Sequence, residues 1–269
     1  MDPATGLTIL GTAVGSAKLL EKLLGPTAEY LGDGLKSWTE KRVNNTKRIF
    51  QRATALIGDR IEQPGAVPPK VLKGVMDEGS FCDDELSAAY FGGVLASSRT
   101  TVSRDDRGAS FIALLGRLST YQIRSHYVFY HVIKTLFDGS GIGVTIGDER
   151  QKLRTYVPFP IYHAAMAFTE SEDAVSVLTH VMFGLARESL IAEDFQSGTV
   201  EHLKNFFPAA SQSGTVFIPS ALGVELLLWA YGMGQTNIAK FLSPAIQLPT
   251  EDVSIPPGSE AVTKPKPGA

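Results

Sequence analysis

The sequence predicts a mostly α-helical protein, in which an N-terminal helical region precedes a winged-helix-like region with a small β-hairpin. One observation behind this prediction is that apolar residues recur at helical spacing along most of the chain. Another is that residues 169–232 read as helix, strand, loop, strand and helix, which is the outline of a winged helix. We therefore divide the chain into residues 1–62, with apolar and basic helices; 63–117, a helical region; 118–243, the winged-helix-like region; and 244–269, a proline-rich tail.

The first apolar stretch, residues 5–24, carries a helical stripe of small and aliphatic residues. Small residues let helices approach closely, so this helix could support oligomer formation or lie at a membrane surface. It could equally be a first helix packed on the core, and the sequence leaves these alternatives open. The stripe comprises Leu10, Val14, Ala17 and Leu20 or Leu24.

Residues 28–61 are predicted to form one long or broken helix with a basic face, and Pro26 stands where such a helix can begin. Between residues 36 and 60 there are seven basic residues but only two acidic ones, Glu40 and Asp59. This is the strongest charge asymmetry in the chain. It can bind an anionic membrane surface or an acidic protein surface, or it can be a solvated helix face. The candidate partner- or lipid-binding residues are Lys36, Lys41, Arg42, Lys47, Arg48 and Arg52.

A proline-containing connector over residues 62–70 leads into the next region, residues 63–117. Short helices are predicted over residues 71–76, from residue 83 onwards and over residues 110–118. The acidic run 83–85 could be a metal site or an acid/base pair, but at a helix start it is better explained as a cap with favourable helix-dipole charges. Gly92 and Gly93, inside the second of these helices, indicate close packing by a neighbour.

A capping box formed by Ser119 and Gln122 predicts a helix that runs to about Phe137. His126 and His131 lie on this helix five residues apart, a spacing that does not place two metal ligands on one face, and no third ligand is evident. We interpret both as packed or surface histidines. The glycine-rich residues 138–148 lack the Gly-Lys-Ser/Thr ending of a phosphate loop, so a loop or small hairpin is expected there.

The remaining winged-helix elements are predicted from short local signals. Residues 158–168 should form a helix, and the capping-box spacing of Thr169 and Glu172 should start the next helix, to residue 187. Residues 190–192 and 215–218 should be strands, with a helical insertion over 200–207 between them. Ser220 should cap a last helix that Gly232 ends. The tail from 244 has too few large apolar residues to offset the entropy of ordering, so it should be disordered.

Composition points to a cytoplasmic protein. The net charge is only −3, which gives no overall field for nucleic acid. The single cysteine, Cys82, excludes an internal disulfide framework and fits a reducing compartment. The first residues lack the basic segment of a secretory signal, and no stretch reaches the ~20 apolar residues that span a bilayer. The basic helix leaves peripheral attachment to the inner membrane open.

Several short motifs in residues 25–135 resemble a known family. They are a helix led by Gly25-Pro26, a proline connector at residues 67–69, the acidic pair Asp83-Asp84, and a helix that ends in Leu-Ala-Ser at residues 95–97. Together with SFIALLGRLSTYQ, and more loosely with residues 218–223, they resemble the bacterial Abi-alpha (abortive infection) family, a domain of unknown function. The resemblance implies a prokaryotic phage-defence setting, and it supplies no catalytic residues.

The predicted function is therefore that of a bacterial anti-phage, abortive-infection-type defence protein without its own catalytic centre. We expect no enzyme activity, no metal and no cofactor, because no nucleophile elbow, metal spacing or nucleotide loop is present. The expected partner is a protein or an anionic membrane surface. The alternative is a helical adaptor that binds a protein through the basic helix. A DNA-binding regulator is disfavoured, because the helix over 172–187 offers only Arg187 and has acids at its entry.

Overall fold

A computed structural model describes residues 34–102, 104–248 and 260–261 of the chain, with side chains from residue 41 to residue 248 apart from residue 103. Within these residues the protein is mostly helical, with ten α-helices and a small antiparallel sheet, as the sequence predicts. The apolar stretch 5–24 lies outside the described residues, as does the first part of the predicted basic helix, residues 28–33.

The first half of the described chain consists of helices joined by short turns. They are α1 (Gly34–Ile57), α2 (Pro69–Asp77), α3 (Glu85–Ser97), α4 (Gly108–Arg117) and α5 (Thr120–Phe137). 3-10 turns follow α1 at Gly58–Glu62 and α2 at Gly79–Phe81. The helices confirm the predicted order, and α5 begins at the predicted capping box: Ser119 Oγ accepts from the backbone N–H of Gln122, whose side chain accepts from the backbone N–H of Ser119.

The second half mixes short helices with strands. In chain order these are α6 (Gly147–Arg150), β1 (Thr155–Pro158), α7 (Phe159–Met166), α8 (Ala174–Arg187), β2 (Gln196–Gly198), α9 (Val200–Leu203), β3 (Gly214–Phe217) and α10 (Ala221–Ala230). 3-10 turns lie at Gln151–Leu153 and Ile238–Lys240. A two-residue strand, β4 (Glu260–Ala261), comes from the predicted tail.

The sheet has the order β2-β3-β1-β4, and each neighbouring pair is antiparallel. Tyr156 of β1 faces Val216 of β3, and Gln196 of β2 faces the same valine from the other side. Strand β1 is not predicted from the sequence, and the first hairpin strand begins later than predicted. Residues 190–192 form only an isolated bridge, between Ile191 and Pro219, and the paired strand begins at Gln196.

One predicted helix start is wrong. Thr169 and Glu172 do bond each other, since the backbone N–H and the hydroxyl of Thr169 each donate to Glu172 Oε2 at 2.7 Å, but they do so in the turn before α8. The N-cap of α8 is Asp173, which accepts from the N–H groups of Val175 and Ser176. The Thr169–Glu172 pair therefore stabilises the turn that precedes the helix, whereas Asp173 caps the helix itself.

The main apolar core extends from Ile49 on α1 to Leu242, so regions 63–117 and 118–243 share it. A second, smaller cluster lies at the sheet and is formed by Tyr156, Leu203, Phe207, Ala210 and Val216. Helix α3 lies at the centre of the main core, buried along most of its length. Gly93 of α3 makes the closest approach, because a Cβ there would stand 1.7 Å from the carbonyl O of Ala230 in α10. This confirms the close packing predicted for the glycine pair.

The chain after residue 242 departs from the prediction of a disordered tail. The Lys134 ammonium donates to the carbonyl O of Ser243 at 2.9 Å, and Ile246 and Leu248 pack against the core. Residues 260–261 pair with Thr155 and Tyr156 of β1. These stretches are ordered because they contact the rest of the protein, and the composition of the tail alone does not reveal such contacts. The other residues of the predicted tail from 249 onwards lie outside the described part.

Candidate interaction surface on helix α1

Helix α1 packs one face on α3 and the turn after α2. Ile49 and Ala53 are buried in this contact. Gly92 of α3 makes it possible, because a Cβ at that position would stand 2.9 Å from the carbonyl O of Ile49. One face of α1 is therefore held against the backbone of α3, and only its other faces are available to bind a partner.

Arg42 turns toward the end of α2 instead of toward solvent. Its Nε donates to Ser80 Oγ at 2.9 Å, and its Nη2 donates to the carbonyl O of Met76 at 3.1 Å. The guanidinium also lies 4.5 Å from the centroid of the Phe81 ring, a cation–π contact. Arg42 is half-buried and anchors the turn after α2 to α1.

Arg48 performs a similar task one and a half turns further on. It donates to the carbonyl O of Cys82 at 2.9 Å and to Asn45 Oδ1 at 2.8 Å, and it forms an ion pair with Glu85. Asn45 in turn donates to the carbonyl O of Ser80 at 3.0 Å. This network fastens the connector between α2 and α3 along α1, so part of the positive charge of the predicted basic face supports the fold.

The six predicted binding residues are thus not equivalent. Lys47 is exposed, and among the ion pairs of the described residues none involves it. Lys41 and Arg52 are half-buried, as are Arg42 and Arg48. The side chain of Lys36 lies outside the described part of the chain. Among the five whose side chains are described, Arg42 and Arg48 are engaged with the end of α2 and the connector after it, whereas Lys47 is exposed.

A groove with apolar walls runs along α1 beside the end of α2, with a volume of about 910 Å³. Val43 and Phe50 line it from α1, with 59% and 37% of their surfaces exposed, and Met76 lines it from α2, with 44% exposed. Lys47 stands between the two α1 residues and places a positive charge at the groove. Sequence reasoning missed this groove, although the seven-residue spacing of Val43 and Phe50 puts both on one helix face.

The acidic run at the start of α3 is built into the fold. Asp84 caps α3 by accepting from the N–H of Ser87 at 2.8 Å, which confirms the predicted cap. Asp83 accepts from Asn45 Nδ2 at 2.8 Å, and Glu85 pairs with Arg48. Across the described residues, no group of three or more His, Cys, Asp or Glu side chains could hold a metal ion.

The single thiol, on Cys82, lies beside this acidic run. Burial raises its pKa to about 11, an effect that a hydrogen bond with Ser87 and the charge of Arg48 only partly offset. The group is therefore a neutral thiol at physiological pH, whereas a nucleophilic cysteine needs a thiolate.

The histidines of α5 are core residues, in agreement with the packed alternative of the sequence interpretation. His126 is fully buried between Tyr90 Oη, 2.9 Å from Nδ1, and the carbonyl O of Gly223, 3.0 Å from Nε2. Burial lowers the pKa of His126 to about 3. His131 Nε2 lies 2.8 Å from Tyr231 Oη.

Helix α8, the candidate reading helix of a winged helix, exposes an apolar surface. Val175 is 73% exposed and Phe183 is 65% exposed, the latter with its ring edge against Phe195 at a centroid distance of 5.1 Å. Asp173 occupies the N-terminal end, and Arg187 lies 3.2 Å from Glu188 at the other. This face lacks the row of basic and amide side chains that reads a DNA groove.

Comparisons of the chain with protein-family models, with curated proteins and with solved structures find no match. Among the described helices, none is long and apolar enough to cross a membrane.

Proposed function

We propose that this protein is a bacterial anti-phage defence protein of the abortive-infection type, which has no catalytic centre of its own and acts by binding a partner on helix α1. The defence setting is supported by the resemblance of residues 25–135 to the Abi-alpha family. The binding mode is supported by one structural observation, the apolar groove between α1 and α2 with Lys47 at its edge.

The shape of the groove favours a protein helix over a membrane surface as the partner. A concave groove accepts the apolar side chains of an amphipathic helix, whereas a bilayer presents a broad interface into which residues must project. The charge of Lys47 favours acidic residues beside the apolar face of the partner helix. Arg42 and Arg48 hold the connector between α2 and α3, so fewer of the basic side chains are available for an anionic membrane surface than the sequence indicates.

The same groove supports the alternative of a non-catalytic adaptor outside phage defence. Both functions use the same surface, and they differ in whether the gene protects a bacterial culture from phage at low dose. The exposed face of α8 gives no support to a DNA-binding regulator, because Val175 and Phe183 occupy the positions where polar side chains would be needed.

The test is a phage challenge of bacteria with and without the gene, at low and high phage dose. Abortive defence predicts protection at low dose and collapse of the culture at high dose.

Val43→Asp and Lys47→Glu should remove protection, while Ile146→Asp should retain it, because Ile146 is 57% exposed and lies outside the groove. Protection by both groove variants at normal protein levels would reject the groove. Absence of protection by the unaltered chain against a broad phage panel would favour the adaptor.

A further inference from the structure

Helix α8 carries the two most exposed large apolar side chains in the described part of the chain. Val175 is 73% exposed and Phe183 is 65% exposed. With Thr179 between them they stand at positions i, i+4 and i+8, so all three lie on the outer side of the helix. Phe195 widens the apolar surface, because its ring lies 5.1 Å from that of Phe183, centroid to centroid. An exposed apolar surface of this kind usually marks a site of interaction.

The polar groups on this side of α8 are satisfied within the helix. The hydroxyl of Thr179 donates to the carbonyl O of Val175 at 2.9 Å, and the hydroxyl of Ser176 donates to Asp173. Residues 174–186 contain no Asp, Glu, Lys or Arg. A hydroxyl that is already hydrogen-bonded costs little to bury, whereas an unpaired charge costs a great deal. The middle of this surface can therefore lose its water at low cost.

Opposite charges stand at the two ends of the same surface. Asp173 is exposed at the N-terminal end. Arg187, at the C-terminal end, keeps 65% of its side chain exposed, and its neighbour Glu188 also accepts two bonds from Arg117. The helix has 14 residues, about 21 Å at 1.5 Å per residue, and Thr179 lies near its middle. The surface reads as negative, apolar and positive, a pattern that complements itself when the helix is turned end for end.

We propose that α8 is the interface of a two-fold symmetric homodimer, in which the α8 helices of two copies pack antiparallel about Thr179. Phe183 of each copy then lies against Val175 of the other, since both stand four residues from Thr179. Arg187 of each copy comes within reach of Asp173 of the other, because its long side chain covers the offset of about 3 Å. In a two-fold interface every such contact forms twice. The antiparallel arrangement also sets each helix N-terminus beside the C-terminus of its partner, which their dipoles favour.

Other arrangements use this surface less completely. An anionic membrane surface would repel the Asp173 carboxylate at one end of the helix. The α1 groove suits a second copy less well, because Lys47 lines it and a second copy would bring another Lys47 to the same place. The α8 surface brings unlike charges together instead. The homodimer leaves the α1 groove open and does not rest on the proposed function.

The first test measures self-association of the full chain by sedimentation velocity. A single helix pair covers less than the roughly 800 Å² per partner of a standard interface, so we expect a monomer–dimer equilibrium with a micromolar or weaker dissociation constant. Val175→Asp should raise that constant by roughly tenfold or more, because two apolar contacts are lost. Its matched control is Val43→Asp, at another exposed valine, which should leave the equilibrium unchanged. A monomer up to millimolar concentration, or a dimer that Val43→Asp abolishes and Val175→Asp does not, would overturn the proposal.

The second test exchanges the end charges between two chains. Arg187→Glu and Asp173→Lys should each prevent homodimer formation, because like charges then meet at both ends of the helix pair. An equal mixture of the two variants should form a heterodimer, visible by native mass spectrometry, because each end again pairs unlike charges. Homodimers of either variant as tight as those of the unaltered chain would contradict the antiparallel pairing, as would two folded variants that fail to associate when mixed.

The third test does not depend on the Asp173 cap. In a Cys82→Ser background, Thr179→Cys places one thiol per chain beside the two-fold axis, so mild oxidation should give a disulfide-linked dimer. Thr54→Cys is the matched control, because Thr54 is also exposed on a helix and donates to the carbonyl O four residues before it, that of Phe50. Equal amounts of cross-linked dimer from the two variants would overturn the proposal. Phage protection is not a readout in these tests, so the dimer and the α1 groove can fail separately.

Discussion

Tyr90 Oη lies 2.9 Å from His126 Nδ1 in the core, and this hydrogen bond joins α3 to α5. The other ring nitrogen, Nε2, lies 3.0 Å from the carbonyl O of Gly223 in α10. A carbonyl oxygen can only accept, so Nε2 carries the proton and Nδ1 accepts from the tyrosine hydroxyl. The neutral imidazole therefore ties three helices together, since it donates to a carbonyl of α10 and accepts from a tyrosine of α3.

This arrangement predicts that the protein loses stability in mild acid. The pKa of His126 falls to about 3 in the folded state because of burial, against an ordinary value of 6.5. Between these two values the unfolded chain binds a proton that the folded chain does not, so stability falls as pH decreases below 6.5. Because of His126, the free energy of unfolding should fall by about 2 to 3 kcal/mol when the pH is lowered from 7 to 4.5, at about 1.4 kcal/mol per pH unit below 6.5.

Urea unfolding at several pH values measures this effect, with His126→Gln as the comparison. The variant is expected to be less stable at pH 7, because glutamine does not fill the same space, but its stability should change less with pH. Parallel pH profiles for the two proteins would show that His126 is not the responsible group.

The capping box at the start of α5 predicts a measurable loss for Ser119→Ala. The substitution removes the acceptor for the N–H of Gln122, and such caps contribute about 1 kcal/mol. Thermal melting should therefore show a lower Tm for this variant. Ser110→Ala is the control, because Ser110 is exposed within α4, and its change should stay within about 0.5 kcal/mol. Equal melting of the two variants would contradict the cap.

The contact between α3 and α10 predicts a severe effect for Gly93→Ala. The added Cβ would meet the carbonyl O of Ala230 at 1.7 Å, and backbone must move to relieve the overlap. We expect a loss of about 3 kcal/mol or more in unfolding free energy. Gly147→Ala serves as the control, because a Cβ there meets nothing within 4 Å, and it should be neutral or slightly stabilising.

The inward orientation of Arg48 predicts that the basic helix separates into stabilising and binding residues. Arg48→Met removes hydrogen bonds to the carbonyl O of Cys82 and to Asn45, so it should cost about 1 to 3 kcal/mol of stability. Lys47→Met should change stability by less than about 0.5 kcal/mol, since Lys47 is exposed. Chemical denaturation of both variants distinguishes this division from a uniformly solvated basic face, on which both substitutions would be mild.

The elements that the sequence predicts well are those whose signals are local. Ser119 with Gln122 and Asp84 mark helix starts because the capping acceptor and its donor lie within three residues of each other. Strand β1 has no such signal. Its four residues are a strand because β3, almost sixty residues later, supplies the partner, and a short apolar run does not show this by its own pattern.

The candidate site illustrates the same limit. The charge of α1 is visible in the sequence, but the direction of each side chain depends on where the α2–α3 connector lies. Arg48 turns inward because that connector offers the carbonyl oxygen of Cys82, and Arg42 because the Ser80 hydroxyl and the carbonyl oxygen of Met76 lie beside it. The groove exists because Met76 comes to lie beside Val43 and Phe50. These relationships join residues about thirty positions apart, so helical periodicity could supply only the shared face of Val43 and Phe50.

The ordered residues after Leu242 predict that this part of the chain contributes to stability. Ile246 packs against the core, and two hydrogen bonds hold its approach: the backbone N–H of Gly139 donates to the carbonyl O of Leu242 at 2.8 Å, and Lys134 donates to that of Ser243 at 2.9 Å. Ile246→Ala should cost about 1 to 2 kcal/mol, less than a fully buried isoleucine, because the side chain is half-buried. Gln247→Ala, at an exposed neighbouring position, should stay within about 0.5 kcal/mol. Thermal and urea unfolding of the full-length variants measures both, and identical stabilities would restore the expectation that the chain beyond Leu242 is disordered.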